Sequence, residues 1–560
     1  MKTTPADLPD SIEDLRALLF LQAEEHEEEK QQLELKVAEQ EHAIAKQEQT
    51  VSEYSEEISQ LREYIRLLKS QRFGPRSERS VAVQMGLFNE AEAAADEDSA
   101  EEAGARAESD EPTIEVPAHT RRKRGGRRPL PAFLPREEIV HDVPEEERIC
   151  CNDPEHQLAR IGEEKLEQLV FLPATAKVLV HVRPKYACPS CKDGVKVAPP
   201  PPQPIPKSFA TPSLLAQIVT SKYADALPLY RQEKIFGRIG VDLSRATMAS
   251  WVIRMGDLVI PLLDYALGEI RNGGYVQADE TPFQVLKEDG KRATSKSYLW
   301  ALRGGTEPEH PLLYYEYAPT RSGEVAQRLL EGFEGFLHTD GYWGYDGFDD
   351  QPGVVHVGCF AHSRRKFDEA LRGQGKSSKK SKPGAKKSLA RQGFDQINKL
   401  YKIERGYGDA PAEERHALRA EKLAPKLVKL REWIDDSKDR VPPKSLTGKA
   451  ISYLDSQWSK LVRVLDDERI PLDTNAVERA IRPFVIGRRN WMFADTPSGA
   501  TASARLYSLV ETAKANGLEP WAYLAEVFEK LPAAATDADI EALLPWRVQL
   551  EGSPHRGAHG

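Results

Sequence analysis

The sequence predicts a multidomain α+β protein, and three observations carry that reading. Apolar residues recur in heptads over residues 33–68, and four of the five cysteines lie between Cys150 and Cys191. From Gly274 onward, apolar runs follow the order strand, strand, strand, helix, strand, strand. A chain of 560 residues also exceeds what one hydrophobic core holds, so several domains are expected.

In the heptad segment Val37, Ile44, Val51, Ile58 and Ile65 repeat every seventh residue. Leu33, Tyr54, Leu61 and Leu68 fill the second seam, with Gln40 and Gln47 in the same register. β-Branched residues at one seam position and Leu at the other favour a parallel two-stranded coiled coil. The expectation is therefore a homodimer or higher assembly through this helix, against the plainer alternative of an amphipathic helix lying on the chain's own body.

Composition is ordinary, with 40% hydrophobic and 30% charged residues, and no apolar run spans a bilayer. The start, "MKTTPADLPDSIEDL", lacks the basic and apolar regions of a signal peptide, so a cytoplasmic protein is expected. The net charge of −10 argues against a nucleic-acid partner only as an average. Acid is concentrated in Asn89–Glu115, whose few aromatics cannot support a fold, so the segment reads as a tether. Base is concentrated in "TRRKRGGRRPLP", where Arg121, Arg122, Lys123, Arg124, Arg127 and Arg128 surround a flexible Gly-Gly. Such an arm lies along phosphates or in a minor groove, or else is a solvated tail. The Lys-rich stretch "GKSSKKSKPGAKKS" reads as disordered, against the alternative of a loop that touches DNA.

Four cysteines in a reducing compartment suggest metal before disulfide. Cys188 and Cys191 form a Cys-x-x-Cys knuckle, which lets two thiolates share one tetrahedral ion. The other half, "CCNDPEH", is irregular: Cys150 and Cys151 are adjacent, and His156 is the next plausible ligand. The intervening sequence looks like a β-hairpin that brings the halves together around a structural Zn2+. Beyond the proline hinge "PPPPQPIP", helical sequence surrounds "YRQEKIFGRIGVDLSRATMASWVIRMG". Gly240 can make a turn, Ser244 can cap, and Arg245 and Thr247 open the next helix. This is a helix-turn-helix arrangement suited to a major groove, though any two packed helices share the pattern.

"GYVQADETPFQV" alternates like a strand, enters two carboxylates and is expected to stop at Pro282. With "KSYLWAL" and "PLLYYEYAP" it makes an antiparallel meander, followed by a helix in "SGEVAQRLLEGF" and strands in "GFLHTDGY" and "GVVHVGCFAH". This is the order of the ribonuclease-H-like fold, in which the first and fourth strands are neighbours. Asp279 would end the first and Asp340 the fourth, so the two acids would meet. Paired carboxylates repel unless a cation lies between them, and hard-oxygen donors suit Mg2+. The candidate third acid is in "PLDTNAVERAIRPFVIGRRNW", where Asn475, Glu478 and Arg482 share one helix face. Arg479, Arg482, Arg488 and Arg489 would supply phosphate contacts. Alone, that motif reads better as a capped helix with ordinary ion pairs. Glu280, next to Asp279, would point to the opposite face of its strand.

The motifs "QADETP", "TDGYWGY", "GCFAHSRRKF", "NAVERAIRPFVIGRRNWMF" and "LYSLVETAKANGLEPWAYL", in this order, resemble the insertion sequence 66 family of bacterial DDE transposases. The resemblance runs from the heptads to the closing "LLPW". It implies a metal-binding triad of Asp279, Asp340 and Glu478, with two Mg2+ or Mn2+ ions. Cys359 and His362 match a Cys-x-x-His signature, and with Asn475 are read as supporting the site. It also implies an α-helical insertion, binding to terminal inverted repeats, end cleavage and joining of a 3′-hydroxyl to target DNA. Accessory proteins encoded by the same element are implied as well. Two departures stand out: "CCNDPEH" replaces spaced cysteines, and Asp473-Thr474-Asn475 stands where Asp-Asn-Asn is usual. The rival readings are a DNA-binding regulator with a decayed catalytic domain and a nuclease that cleaves without joining.

The expected segments are a coiled-coil helix over 1–72, a linker and basic arm over 73–136, and a zinc module over 137–200. A helical DNA-binding region over 201–268 precedes a catalytic domain over 269–490, with its insertion at about 363–470. A helical segment over 491–560 closes the chain.

Overall fold

The computed structural model describes residues 11–73, 149–150, 153–157, 177–181, 185–186, 196–197, 202–374, 387–407, 410–491, 493–548 and 550. The acidic tether, the six basic residues of the arm, Cys151, Cys188, Cys191 and residues 375–386 lie outside the described residues. The architecture is multidomain α+β, mostly helical, with a mixed five-stranded sheet.

In chain order, α1 is Ile12–Phe73, followed by the short strands β1 (Ile149–Cys150), β2 (Asp153–Gln157), β3 (Lys185–Tyr186) and β4 (Lys196–Val197). Helices α2 (Pro212–Tyr223), α3 (Leu229–Arg238), α4 (Arg245–Leu258) and α5 (Ile260–Asn272) come next. Then follow β5 (Tyr275–Gln284), β6 (Lys296–Gly304), β7 (Leu312–Ala318), α6 (Gly323–Leu329), β8 (Gly335–Thr339) and β9 (Val354–Gly358). The remaining helices are α7 (Phe360–Gln374), α8 (Leu389–Arg405), α9 (Ala412–Leu418), α10 (Ala424–Ser437), α11 (Leu446–Ser456) and α12 (Trp458–Leu461). After them come α13 (Asn475–Trp491), α14 (Pro497–Ala515), α15 (Pro520–Lys530) and α16 (Asp537–Glu541). Among the described residues no single helix is long and apolar enough to cross a membrane.

The chain divides into two compact units: Met1–Ala93 with Gly335–Glu478, and Ala94–Glu334 with Arg479–Gly560. In the second unit β5, β6 and β7 form the expected antiparallel meander, with Asp279 opposite Ala301 and Ala301 opposite Tyr315. The expectation that β5 stops at Pro282 is corrected: the ladder runs on, Pro282 opposite Tyr298 and Gln284 opposite Lys296. Proline removes one donor and no acceptor, and the Pro282 carbonyl accepts a hydrogen bond from Arg488.

The helical turn behaves as its residues suggest. Gly240 takes a positive φ of 79°, open to glycine without strain, and the Ser244 hydroxyl caps α4 by accepting from Thr247 N at 3.2 Å. An aromatic chain then ties the unit together. Phe283 meets Phe484 edge-on at 4.9 Å, Phe484 meets Tyr507 at 5.4 Å, and Tyr507 meets Tyr223 at 4.8 Å.

β7 is an edge strand, and its outward backbone groups need partners. They find them on α14 and on the residue that caps it, where Ser508, Thr512 and Asn516 recur every fourth residue and so face one way. Ser508 Oγ accepts from Tyr315 N at 2.9 Å, and Asn516 Nδ2 donates to the Pro311 carbonyl at 3.0 Å. Between them, Thr512 Oγ1 accepts from Leu313 N at 3.0 Å and donates to the Leu313 carbonyl at 3.1 Å. A polar helix stripe thus substitutes for a missing strand.

In the first unit β8 and β9 pair in parallel, from Gly335 opposite Val354 to Thr339 opposite Gly358. The long helix α1, 62 residues, uses different faces along its length. Near its end Tyr64 and Leu67 pack on Ala370, Ala390 and Leu446. Glu63 accepts from Leu446 N at 3.3 Å, and Arg66 donates to the Gly373 carbonyl at 3.4 Å. The heptad seam is on other positions of the helix. Its residues Leu33, Val37, Ile44, Val51, Tyr54, Ile58, Leu61, Ile65 and Leu68 are between 49% and 67% exposed.

Thr512→Val should strand the buried Leu313 N–H and lower stability by about 1–3 kcal/mol. Urea unfolding checks this, and an unchanged midpoint would show that α14 does not seal the strand.

Candidate active site

Glu478 is the fourth residue of α13, in its first turn, with a side chain 14% exposed. The helix begins where the sequence turns it. Asp473 Oδ1 accepts from Asn475 N at 3.1 Å, and Glu478 N donates to the Thr474 carbonyl at 3.2 Å. Cys359, between β9 and α7, anchors this entry: its Sγ accepts from both the backbone N and the hydroxyl of Thr474, each at 3.4 Å. Thr474, the departure from the usual Asn, therefore makes a bond of its own to the Cys-x-x-His motif. Beside it, Phe360 N donates to the Leu472 carbonyl at 2.9 Å.

Across from Glu478 stands the face of α7. His362 Nε2 lies 3.8 Å from Glu478 Oε1, and Arg365 Nη2 lies 3.5 Å from Oε2. The two residues are three apart on the helix and so share a face. Burial, with Arg365 and Lys366 nearby, pushes His362 down to about 3, so the ring is neutral and its approach to Glu478 is not an ion pair. Burial also raises the Cys359 thiol to about 12, which keeps it protonated and makes it a structural acceptor rather than a nucleophile.

Asp340 directly follows β8, half-buried, and its Oδ1 accepts from Tyr342 N at 2.8 Å. Burial first, then the charges of Asp473 and Asp340, push Glu478 up to about 7 despite the Arg365 guanidinium. Acids that repel one another in a poorly hydrated setting would suit a hard divalent cation, their carboxylate oxygens being its donors. The three nearest soft and hard donors, Cys359, His362 and Glu478, also lie within 4.8 Å of one another. The structure therefore brings Asp340, Glu478, Cys359, His362 and Asn475 into one unit.

Asp279 belongs to the other unit, half-buried within β5, its Oδ1 accepting from Glu280 N at 2.8 Å. Glu280 is 8% exposed and receives Arg321 Nε at 2.5 Å, so it is a paired structural acid, as its strand position suggests. On α13, Arg489 is exposed and Arg482 half-buried, while Arg488 is tied to the Pro282 carbonyl. Arg245 is exposed at the start of α4; its backbone N donates to Glu233 at 2.9 Å. Thr247 is engaged with Ser244. In the cysteine module, β1 and β2 pair antiparallel, with Cys150 opposite Asp153 and Ile149 opposite Gln157, so the chain segments of Cys150 and His156 share a hairpin.

Several supporting residues escaped the sequence reading. Arg365 carried a usable signal, its helical spacing from His362. A relay running from the buried Thr339 and His356 to the exposed Asp349 carried none: Thr339 Oγ1 lies 2.7 Å from His356 Nε2, and His356 Nδ1 lies 2.6 Å from Asp349 Oδ1. Asp349 Oδ2 in turn meets Lys460 Nζ at 2.9 Å. Burial and Lys460 lower the His356 pKa, so this relay steadies the end of β8, next to Asp340, through a neutral ring.

The raised pKa of Glu478 has a consequence for stability. A folded-state value above the unfolded one means that the native state binds the extra proton, so stability falls as pH rises from about 4.5 to about 7. In metal-free buffer, Glu478→Gln should therefore raise the Tm relative to wild type, by more at pH 8 than at pH 5. Parallel Tm curves for the two proteins would show that Glu478 ionises without penalty.

Comparison with known proteins gives four family matches along the chain. Residues 207–502 match the transposase IS66 family, and residues 508–546 match the IS66 C-terminal element. Residues 149–192 match the zinc-finger binding domain of transposase IS66, and residues 60–139 match "Transposase C of IS166 homeodomain". Among relatives, the uncharacterized protein y4jD of Sinorhizobium fredii is 34% identical over 433 residues, covering 75% of this chain and 82% of that protein. The uncharacterized proteins y4qI and y4hP of the same organism are 34% and 32% identical, covering 97% and 86% of this chain and 98% and 87% of their own lengths. The chain belongs to the IS66 family of insertion-sequence transposases.

Proposed function

We propose that this transposase binds the terminal inverted repeats of its element and hydrolyses a phosphodiester at each end. It then joins the freed 3′-hydroxyl to target DNA at the same site. The observation that carries the reading is the gathering of the half-buried Asp340 and Asp473 near Glu478, whose carboxyl is pushed up first by burial and then by those two charges. On this reading Asp279 completes the set with Asp340 and Glu478, and the catalytic domain is ribonuclease-H-like, in keeping with an antiparallel meander followed by a parallel pair. These three carboxylates would hold two divalent cations, Mg2+ or Mn2+, which when bound would supply activation of the attacking oxygen and neutralisation of charge at the phosphate.

The chain's own residues do the rest. Arg365 fixes one oxygen of Glu478 and leaves the other toward His362, whose neutral ring adds no charge that would compete for the carboxylate. Cys359 and Asn475 hold the first turn of α13 in place. Arg482 and Arg489, with Arg488 behind them, meet phosphates at the site, while Arg245 and Thr247 on α4 and the basic arm Arg121–Arg128 bind the element ends. Cys188, Cys191, Cys150, Cys151 and His156 form the zinc ligand pool. The exposed seam of α1 pairs with a second copy as a parallel coiled coil, and accessory proteins of the same element join the assembly. The protein works in the cytoplasm.

Asp279→Ala, Asp340→Asn and Glu478→Gln should each abolish cleavage of labelled DNA carrying the gene's flanking repeats, with end binding intact. Normal cutting by any one of the three would remove that residue from the triad. Ile44→Asp with Ile58→Asp should convert the dimer to a monomer in sedimentation equilibrium; an unchanged mass would rule out the seam as the contact.

A further inference from the structure

The helices inserted between α7 and α13 carry none of the three acids, yet they grip the backbone on either side of two of them. The segment Val464–Thr474, which delivers α13, has no regular structure beyond its first turn. Its inward carbonyls must find donors elsewhere. Three of them find one side chain, Arg419, which is 2% exposed. Arg419 Nη1 donates to the carbonyls of Val464 and Asp467, both at 3.0 Å, and Nη2 donates to that of Ile470 at 2.8 Å. The other donors go to Glu404: Nε at 3.1 Å to Oε1, and Nη2 to the same oxygen. A guanidinium has five N–H donors, and here all five are used.

A buried charge so fully paired is a built feature. Arg419 opens a π-helical turn, Arg419–Leu423, wedged between α9 and α10. Such turns re-aim side chains and recur at functional positions. Downstream, Cys359 and Phe360 hold the same segment at Thr474 and Leu472.

The second grip is at Asp340. Tyr453 on α11 accepts a hydrogen bond at its hydroxyl from Gly341 N, at 3.1 Å. Gly341 has no room for a side chain, since a Cβ there would lie 2.6 Å from that hydroxyl oxygen. Lys366 steadies the ring, its Nζ 4.6 Å from the centroid.

We propose that the inserted helices are a positioning clamp: Arg419 fixes the segment that presents Glu478, Tyr453 fixes the turn after Asp340, and together they set the separation of the two acids. The inference rests on those acids being the reacting ones. Arg419 and Tyr453 are positioning residues, and neither touches DNA in this scheme. Lysine cannot replace Arg419, because a compact ammonium cannot span three carbonyls and a carboxylate in one plane.

The test uses the full-length chain with Mn2+ as the probe. Mn2+ affinity is measured by electron paramagnetic resonance, with the signal lost in Asp340→Asn defining the site. End binding, thermal unfolding and cleavage are followed in parallel. Arg419→Lys and Tyr453→Phe should weaken Mn2+ binding about 10–100-fold, as loss of an outer-shell partner does elsewhere, with end affinity unchanged. Free guanidinium should restore Mn2+ binding to Arg419→Ala. Wild-type Mn2+ affinity in both Arg419→Lys and Tyr453→Phe would overturn the clamp, as would weaker binding matched by an equal loss of end binding. If the Arg419 variants do not fold, Tyr453→Phe, which removes one oxygen, decides the matter alone. A wild type that binds Mn2+ through Asp340 but cuts no DNA sinks the proposed reaction, while the clamp is still judged on affinity.

Discussion

A carboxylate withdrawn from water, with two further acids beside it, is the constraint from which the rest of the site follows. Glu478 is held beside Asp340 and Asp473 in surroundings that disfavour ionisation. One arginine, Arg365, offsets part of that repulsion. A fully compensated carboxylate would sit comfortably and have no demand for a cation. An uncompensated one needs its backbone fixed, because a mobile segment would simply turn the acid outward to water. The neutral rings of His338, His356 and His362 fit the same logic: each fills buried space near the acids without adding a charge that would settle them.

The long N-terminal helix carries a docked face and an exposed seam on one element. Its Tyr64–Leu67 face docks on the inserted helices, at the start of α11, where Glu63 accepts from Leu446 N. Its heptad seam stays exposed. Position along the heptad separates the two surfaces, so docking the first leaves the second uncovered.

What the sequence made legible was whatever has a period or a local motif. The strand order, the Gly240 turn, the Ser244 cap and the helix beginning at Asn475 all appear as read. The strand end at Pro282 was misread, because a local rule about proline gave way to a ladder already specified on both sides. Arg419 was invisible for a different reason. In "AEERHALRAEKL" it looks like one more charge on a solvated helix, and only the packing of a distant loop makes it a buried donor. Tyr453 is the same kind of case, as its partner Gly341 lies far along the chain, and the Thr339–His356–Asp349 relay follows no local period or motif. Of the acids themselves, spacing made Glu478 only a candidate and the family resemblance singled it out, while the crowding around it became visible only in three dimensions.

The helix stripe along β7 has a consequence beyond its hydrogen bonds. An unpaired strand edge is a template on which another chain can add a strand. Ser508, Thr512 and Asn516 occupy those donors and acceptors with side chains, which cannot propagate a ladder. This end of the sheet is thus silent toward other chains. Any contact between copies has to come from surfaces that specify register, not from the indiscriminate pairing of backbones at this edge.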